Sequence, residues 1–96
     1  MEFDWNPIKA SSNVAKHGID FDTATEIFED PDLFVIVDSR VYGERRYQAI
    51  GASGGVILFV AYTMRGEDVC RIISARRANS RERAAYTVQT GRRSQA

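Results

Sequence analysis

Val56-Ile57-Leu58-Phe59-Val60-Ala61-Tyr62-Thr63 is an unbroken apolar run, followed by the turn-like cluster Met64-Arg65-Gly66-Glu67-Asp68. Next comes a second β-rich run, Val69-Cys70-Arg71-Ile72-Ile73-Ser74-Ala75-Arg76-Arg77, and then a helix start at Asn79-Ser80-Arg81-Glu82. The order reads as strand, hairpin, strand, short loop, helix. The first strand has no polar face, so it belongs in the centre of a sheet, covered on both sides. The second carries arginines where a buried strand would carry leucine. Arginine is seldom buried without a partner, so one end of this strand must open onto solvent or a polyanion.

Upstream, Phe3-Asp4-Trp5 reads as a short strand or extended arm with two aromatics on one side. Asn6-Pro7 is an N-cap followed by proline at the first helical position, and the helix it starts runs to about His17 and stops at Gly18. Ile8, Ser11 or Ser12, Val14 and Ala15 are its expected buried positions, a weak stripe that predicts a largely wet helix across a sheet edge. A second helix starts at Asp20, with Phe21, Ala24, Ile27 and Phe28 at core spacing, and ends before Pro31. Leu33 to Val37 is a first long strand, and Glu44 to Ile50 an outer, half-exposed one in which Arg46, Gln48 and Ile50 share a side. Gly51 to Gly55 is a turn. In the last helix, Asn79 and Glu82 form a box-like cap, Ala85 and Val88 are candidates for the packed face, and residues 91–96 are a frayed tail. Consecutive strands with short turns imply an antiparallel meander. The expected class is therefore α+β: two N-terminal helices packed on an antiparallel sheet of about four strands, followed by a C-terminal helix.

The chain has 96 residues, which bounds it to one domain, and an apolar fraction of 44% predicts a folded core. No apolar run approaches the ~18 residues of a membrane span, and the first residues do not resemble a secretion signal, so the expected location is cytoplasmic. A single cysteine and a single histidine make a disulfide impossible within the chain and a zinc site improbable; no cofactor is expected. Net charge is zero but segregated. Residues 1–64 hold five basic and ten acidic side chains (5 − 10 = −5), and residues 65–96 hold eight and three (8 − 3 = +5). Eleven of the 13 basic residues are arginine, whose planar fork suits phosphate oxygens, so a basic face for nucleic acid is one reading. Arginines that only solvate a C-terminal helix and pair with the acidic half are the other.

The candidate chemistry gathers late in the chain. The strand after the hairpin delivers Arg71, Arg76 and Arg77; the hairpin offers Arg65; the last helix offers Arg81, Glu82, Arg83 and Tyr86; His17 sits on a separate element. Cleaving RNA without a metal needs a base for the 2′-hydroxyl, cations for the phosphorane and an acid for the leaving 5′-oxygen. Arg65, Arg71 and Arg76 suit the phosphate, and His17, Glu82 and Tyr86 suit proton transfer. Arg77, Arg81 and Arg83 are further RNA contacts. Three have a plainer alternative: Arg76 paired with Glu82, His17 closing its helix, Tyr86 covering the sheet. In a regular strand Arg71 and Arg77 would share one face and Arg76 the other; a bulge would change that.

Phe3-x-Trp5, Lys9, Asn13, Lys16-His17-Gly18-Ile19, Phe21 and Phe28-x-Asp30-Pro31 resemble the first half of the BrnT toxin family. Glu44-Arg45, Ile50-Gly51, Tyr62-Thr63-x-Arg65-Gly66, Arg71-Ile72-Ile73-Ser74-Ala75-Arg76-Arg77-Ala78 and Arg81-Glu82-Arg83-x-x-Tyr86 resemble the second. The resemblance implies a RelE-like fold and a small ribonuclease toxin of a type II toxin–antitoxin module that cuts RNA and blocks translation. It also implies neutralisation by a ribbon-helix-helix antitoxin similar to BrnA, with two toxins per antitoxin dimer and operator DNA bound only through the antitoxin. An inert nucleic-acid-binding module and a pure interaction subunit are the competing classes; the first would bind with steep salt dependence and no scission.

Overall fold

The hairpin built from the two β-rich runs forms the middle of a five-stranded sheet in a computed structural model. The structure describes residues 1–40 and 42–95, with the side chains of residues 93–95 left out. The strands are β1 (Glu2–Asp4), β2 (Phe34–Asp38), β3 (Arg46–Ser53), β4 (Val56–Arg65) and β5 (Val69–Arg77), in the order β1-β5-β4-β3-β2. Among the described residues three helices complete the fold: α1 (Pro7–His17), α2 (Phe21–Thr25), which tightens into a 3₁₀ turn at Glu26–Glu29, and α3 (Ser80–Gln95).

The α+β class and the central position of β4 agree with the sequence reading. Several details differ. The sheet has five strands, because the N-terminal arm pairs with β5, and it pairs in parallel, so the sheet is mixed. β3 is an inner strand between β2 and β4; the outer strand is β2. Val35, Ile36 and Val37 are exposed on β2, an apolar run that reads as a buried strand until its edge position is known. Gly51 belongs to β3 and not to the turn, which is Gly54-Gly55, both with positive φ (54° and 82°), as a two-residue hairpin connection requires. A Cβ on Gly51 would lie 2.9 Å from Ile27 Cβ and 3.2 Å from the Ile27 carbonyl oxygen, so glycine is what lets the 3₁₀ turn sit against the sheet. Lastly, α3 continues through Gly91 to Gln95.

The strand alternation divides the side chains between two faces. Tyr47, Ala49, Leu58, Val60, Tyr62, Ile72 and Ala75 point to one face, where Phe21, Ala24 and Ile27 from α2 and the 3₁₀ turn meet them in the core. Burying each large side chain there contributes roughly 1.5–3 kcal/mol. Phe3 meets Phe28 at a tilt with ring centres 5.4 Å apart, and Trp5 meets Phe21 edge-on at 5.9 Å, which fastens the arm to this layer. On the other face, Phe59 and Ala61 are only half-buried, so β4 is not covered on both sides as expected. That open face carries the chemistry.

α1 packs differently from its apolar pattern. Ile8 is 79% and Val14 46% exposed, and the buried residue is Asn13, at 6%. β1 flanks β5 only from Val69 to Arg71, so the edge of β5 beyond it is bare. Asn13 fills that gap. Its Oδ1 accepts from the Ala75 N–H at 3.1 Å, and its Nδ2 donates to the Ala75 carbonyl and to that of Ile19, each at 2.8 Å. One side-chain amide does the work of a neighbouring strand, leaving no buried backbone group of Ala75 unpaired.

Candidate functional site

On the open face, the register sets side chains in rows across the strands. One row spans all five: Asp38 on β2, Arg46 on β3, Thr63 on β4, Arg71 on β5 and Asp4 on β1. Thr63 is buried beneath the arginines and donates to the Arg45 carbonyl at 2.7 Å. The next row holds Gln48, Ala61 and Ser74, and the one after it Ile50, Phe59 and Arg76.

Arg71 and Arg76 share this face because β5 is bulged. Ala61 pairs with Ser74 while Tyr62 pairs with Ile72, so Ile73 is the extra residue. The insertion inverts the parity of everything after it. Without it Arg71 would point to the helical side. Arg77, the last residue of the strand and opposite Leu58, is on the other face from Arg76.

Two adjoining grooves follow the rows. The smaller, about 170 Å³, is lined by Lys9, Glu44, Arg46, Thr63, Arg65 and Arg71 among others. Its cations have local acids: Arg46 Nε donates to Glu44 at 3.2 Å, Arg65 lies 3.9 Å from Glu44, and Arg71 donates to Asp4 at 2.6 Å. Lys9, Arg46, Arg65 and Arg71 against Glu44 and Asp4 leave a surplus of 4 − 2 = +2. The acids themselves are a third to a half exposed, so these pairs are held weakly and exchange readily for a stronger anion. The larger groove, about 360 Å³, shares Arg46 and Ile73 with the first and continues over Gln48, Ala61, Ser74, Phe59 and Arg76. Its rim is the segment after β2. There Asp38 accepts from Nε and Nη2 of Arg40, whose guanidinium holds the Asp38 carboxyl well below the usual carboxylate range. Arg46 stacks 3.9 Å from the Tyr42 ring centre.

The remaining sequence candidates are engaged elsewhere. Arg76 makes a two-point ion pair with Glu82 (2.8 and 2.9 Å) and lies 4.1 Å over the Phe59 ring. Glu82 Oε1 also accepts from the Asn79 N–H while Asn79 Oδ1 accepts from that of Glu82, the reciprocal cap expected of this pair. The Arg76 hydrogen bonds first, and the Asn79 amide after them, lower the Glu82 pKa, so the carboxylate is ionised with both oxygens occupied. Tyr86 donates to Asp30 at 2.5 Å, and Asp30 in turn accepts from the Ala52 N–H at 2.7 Å. Burial and the Asp30 carboxylate push the phenol up to about 12. Arg83 donates to the Ala78 carbonyl at 2.8 Å. Arg81 is exposed on the first turn of α3, and His17 is half-buried at the end of α1. His17, Arg77, Arg81, Arg83 and Tyr86 line neither groove. Cys70 is buried, its thiol raised to about 12 by desolvation, as befits a core residue.

The structure thus brings together Arg65 and Arg71, sets Arg76 and Glu82 in the adjoining groove, and adds Lys9, Glu44 and Arg46. The signal for Arg46 was present: it alternates with Tyr47 and Ala49, which are core residues, so it had to face away from them. Among the described residues no group of three His, Cys, Asp or Glu side chains is arranged to hold a metal.

Comparison with known proteins shows the family. Residues 5–82 match the family model for the ribonuclease toxin BrnT of type II toxin–antitoxin systems. The crystal structure of the Brucella abortus ribonuclease toxin, BrnT, superposes with a TM-score of 0.64 at 30% identity, covering 83% of this chain and 99% of that one. No curated protein sequence matches. With most of its length matched by the family model and its fold shared with the BrnT crystal structure, the chain belongs to the BrnT family, the ribonuclease toxins of type II toxin–antitoxin systems.

Proposed function

We propose that the protein is a cytoplasmic, RelE-like endoribonuclease that cuts RNA without a metal and so halts translation. The observation that carries the reading is the convergence of Lys9, Arg46, Arg65 and Arg71 on one groove with a net surplus of positive charge. In the reaction the 2′-oxygen attacks phosphorus, the P–O5′ bond breaks, and a 2′,3′-cyclic phosphate and a 5′-hydroxyl form. Three guanidinium groups offset the extra charge of the phosphorane, the part a metal ion plays in other nucleases. Glu44, the carboxylate lining the groove, takes the 2′-hydroxyl proton, and the Lys9 ammonium returns one to the 5′-oxygen. His17, Glu82 and Tyr86 are weaker candidates for these transfers, given where their side chains lie and what occupies them.

Family membership implies an antitoxin partner. We take it to be a ribbon-helix-helix protein that binds two toxins per dimer and contacts operator DNA on the toxin's behalf. No described helix is long and apolar enough to cross a membrane.

The test is cleavage of a labelled RNA in excess chelator. Wild type cuts, and Arg71→Ala cuts roughly 100-fold more slowly, the loss typical of one transition-state donor. Scission that needs added divalent metal would refute the metal-free mechanism, and an Arg71→Ala protein with wild-type rate would refute the site.

A further inference from the structure

We infer that the larger groove is a nucleobase subsite, in which Gln48 and Ser74 read a base held on the Arg76–Phe59 stack while the adjoining cationic groove holds that nucleotide's phosphate. The inference rests on the ribonuclease reading and names what its substrate must present.

The register carries the argument. Gln48, Ala61 and Ser74 lie side by side on three neighbouring strands, so the two polar residues stand about 10 Å apart with only a methyl group between them. That is a slot with a flat apolar floor and a polar group on each wall. One end is closed by Phe59 with the Arg76 guanidinium over it. Glu82 grips that guanidinium at two points and offsets its charge. Arg76 is therefore poorly suited to hold a phosphate and well suited to be a fixed stacking surface, as arginine planes are for bases in RNA complexes. The other end opens on the row of Arg46, Thr63 and Arg71, two residues along β3 and β4 and three along the bulged β5, and hence about 7 Å away. A nucleotide's phosphate and the far edge of its base are separated by a comparable distance.

The slot also has chemistry for discrimination. The Gln48 amide donates to Asp38 only at a long 3.4 Å, and no hydrogen bond to its carbonyl oxygen is made among the described residues. That oxygen accepts from an exocyclic amino group, and the Ser74 hydroxyl adapts to either sign. The expected preference is for an amino-bearing base over uracil at one position beside the cut bond.

The experiment compares wild type, Gln48→Ala and Ala61→Val on RNAs that vary only at that position: each of the four bases, or an abasic ribose. Wild type favours an amino-bearing base about tenfold, in line with the loss of one base–side-chain contact. Gln48→Ala flattens that ratio. Ala61→Val fills the slot, and its ratio of based to abasic cleavage falls towards one. Wild-type ratios in both variants would overturn the inference. Anisotropy with a non-cleavable 2′-O-methyl oligonucleotide gives a readout that does not depend on chemistry. Ala61→Val, checked by circular dichroism for an unchanged fold, binds the amino-bearing form about tenfold more weakly than wild type, and equal affinity overturns the subsite. Base-dependent binding without any cleavage by wild type would retain the subsite and refute the ribonuclease reading instead.

Discussion

Tyr86 and Arg76 show how an identity and its location yield different roles. Both belong to the run of residues that marks the family resemblance, and both have plausible RNA chemistry. The Tyr86 hydroxyl, however, is committed to Asp30, which also holds the Ala52 amide, so the phenol ties α3 to the turn below the sheet. Its pKa of about 12 makes it a reluctant proton donor at neutral pH. Tyr86→Phe is therefore expected to lower stability by about 1–2 kcal/mol, the worth of a hydrogen bond to a charged group that is partly solvated. Chemical denaturation measures that loss, and the RNA cleavage rate of the same protein should stay within a factor of about two of wild type. A 100-fold drop in rate at unchanged stability would return Tyr86 to the mechanism. Asn13 is the complementary case. It looks like an ordinary helix-surface residue, and only the bare edge of β5 makes it the most buried position of α1.

Among the elements, β5 and α3 are joined by one carboxylate. Glu82 closes the first turn of α3 through Asn79 and holds the last residues of β5 through Arg76. Its folded pKa lies below the ordinary 4.5 because the Arg76 bonds favour the charged form. A depressed carboxylate contributes stability that is fully present above its unfolded pKa and is lost as the pH falls through the folded one. Wild type should thus lose stability between about pH 5 and about pH 3, and Glu82→Gln should lose less across the same interval while starting about 1 kcal/mol lower at neutral pH. Urea midpoints at the two pH values decide it, and parallel slopes for the two proteins would show that the pair is not linked to folding. Much at this scale was legible in advance. The caps at Asn6, Asp20 and Asn79 were readable because each is a local exchange between a side chain and amides two or three residues away. The bulge at Ile73 was not, because it depends on which β4 residue each β5 residue meets.

At the scale of the molecule, the segregated charge of the two halves becomes a difference between faces. Asp20, Asp22, Glu26 and Glu29 lie along α2 and its 3₁₀ turn, and cations from both halves meet on the open side of the sheet. If Arg46, Arg65 and Arg71 each release a counterion on binding single-stranded RNA, the logarithm of the binding constant should fall with the logarithm of salt with a slope of about −2. A titration with non-cleavable RNA from low to moderate salt measures it, and Arg71→Ala should bring the slope up by about 0.7. A slope near zero would mean that binding does not run through these cations.

The amino-acid sequence by itself determined the fold class, the central strand pair, the helix starts and the family, since all of these follow from local periodicity, capping and residue order. Tertiary structure alone decided which arginines face one another. Sharing a face depends on register, on a single inserted residue and on which strand edge is left bare, and these are settled between segments far apart in the chain. The same long-range pairing moved Arg46 and Lys9 into the groove and committed Glu82 and Tyr86 to holding the fold together.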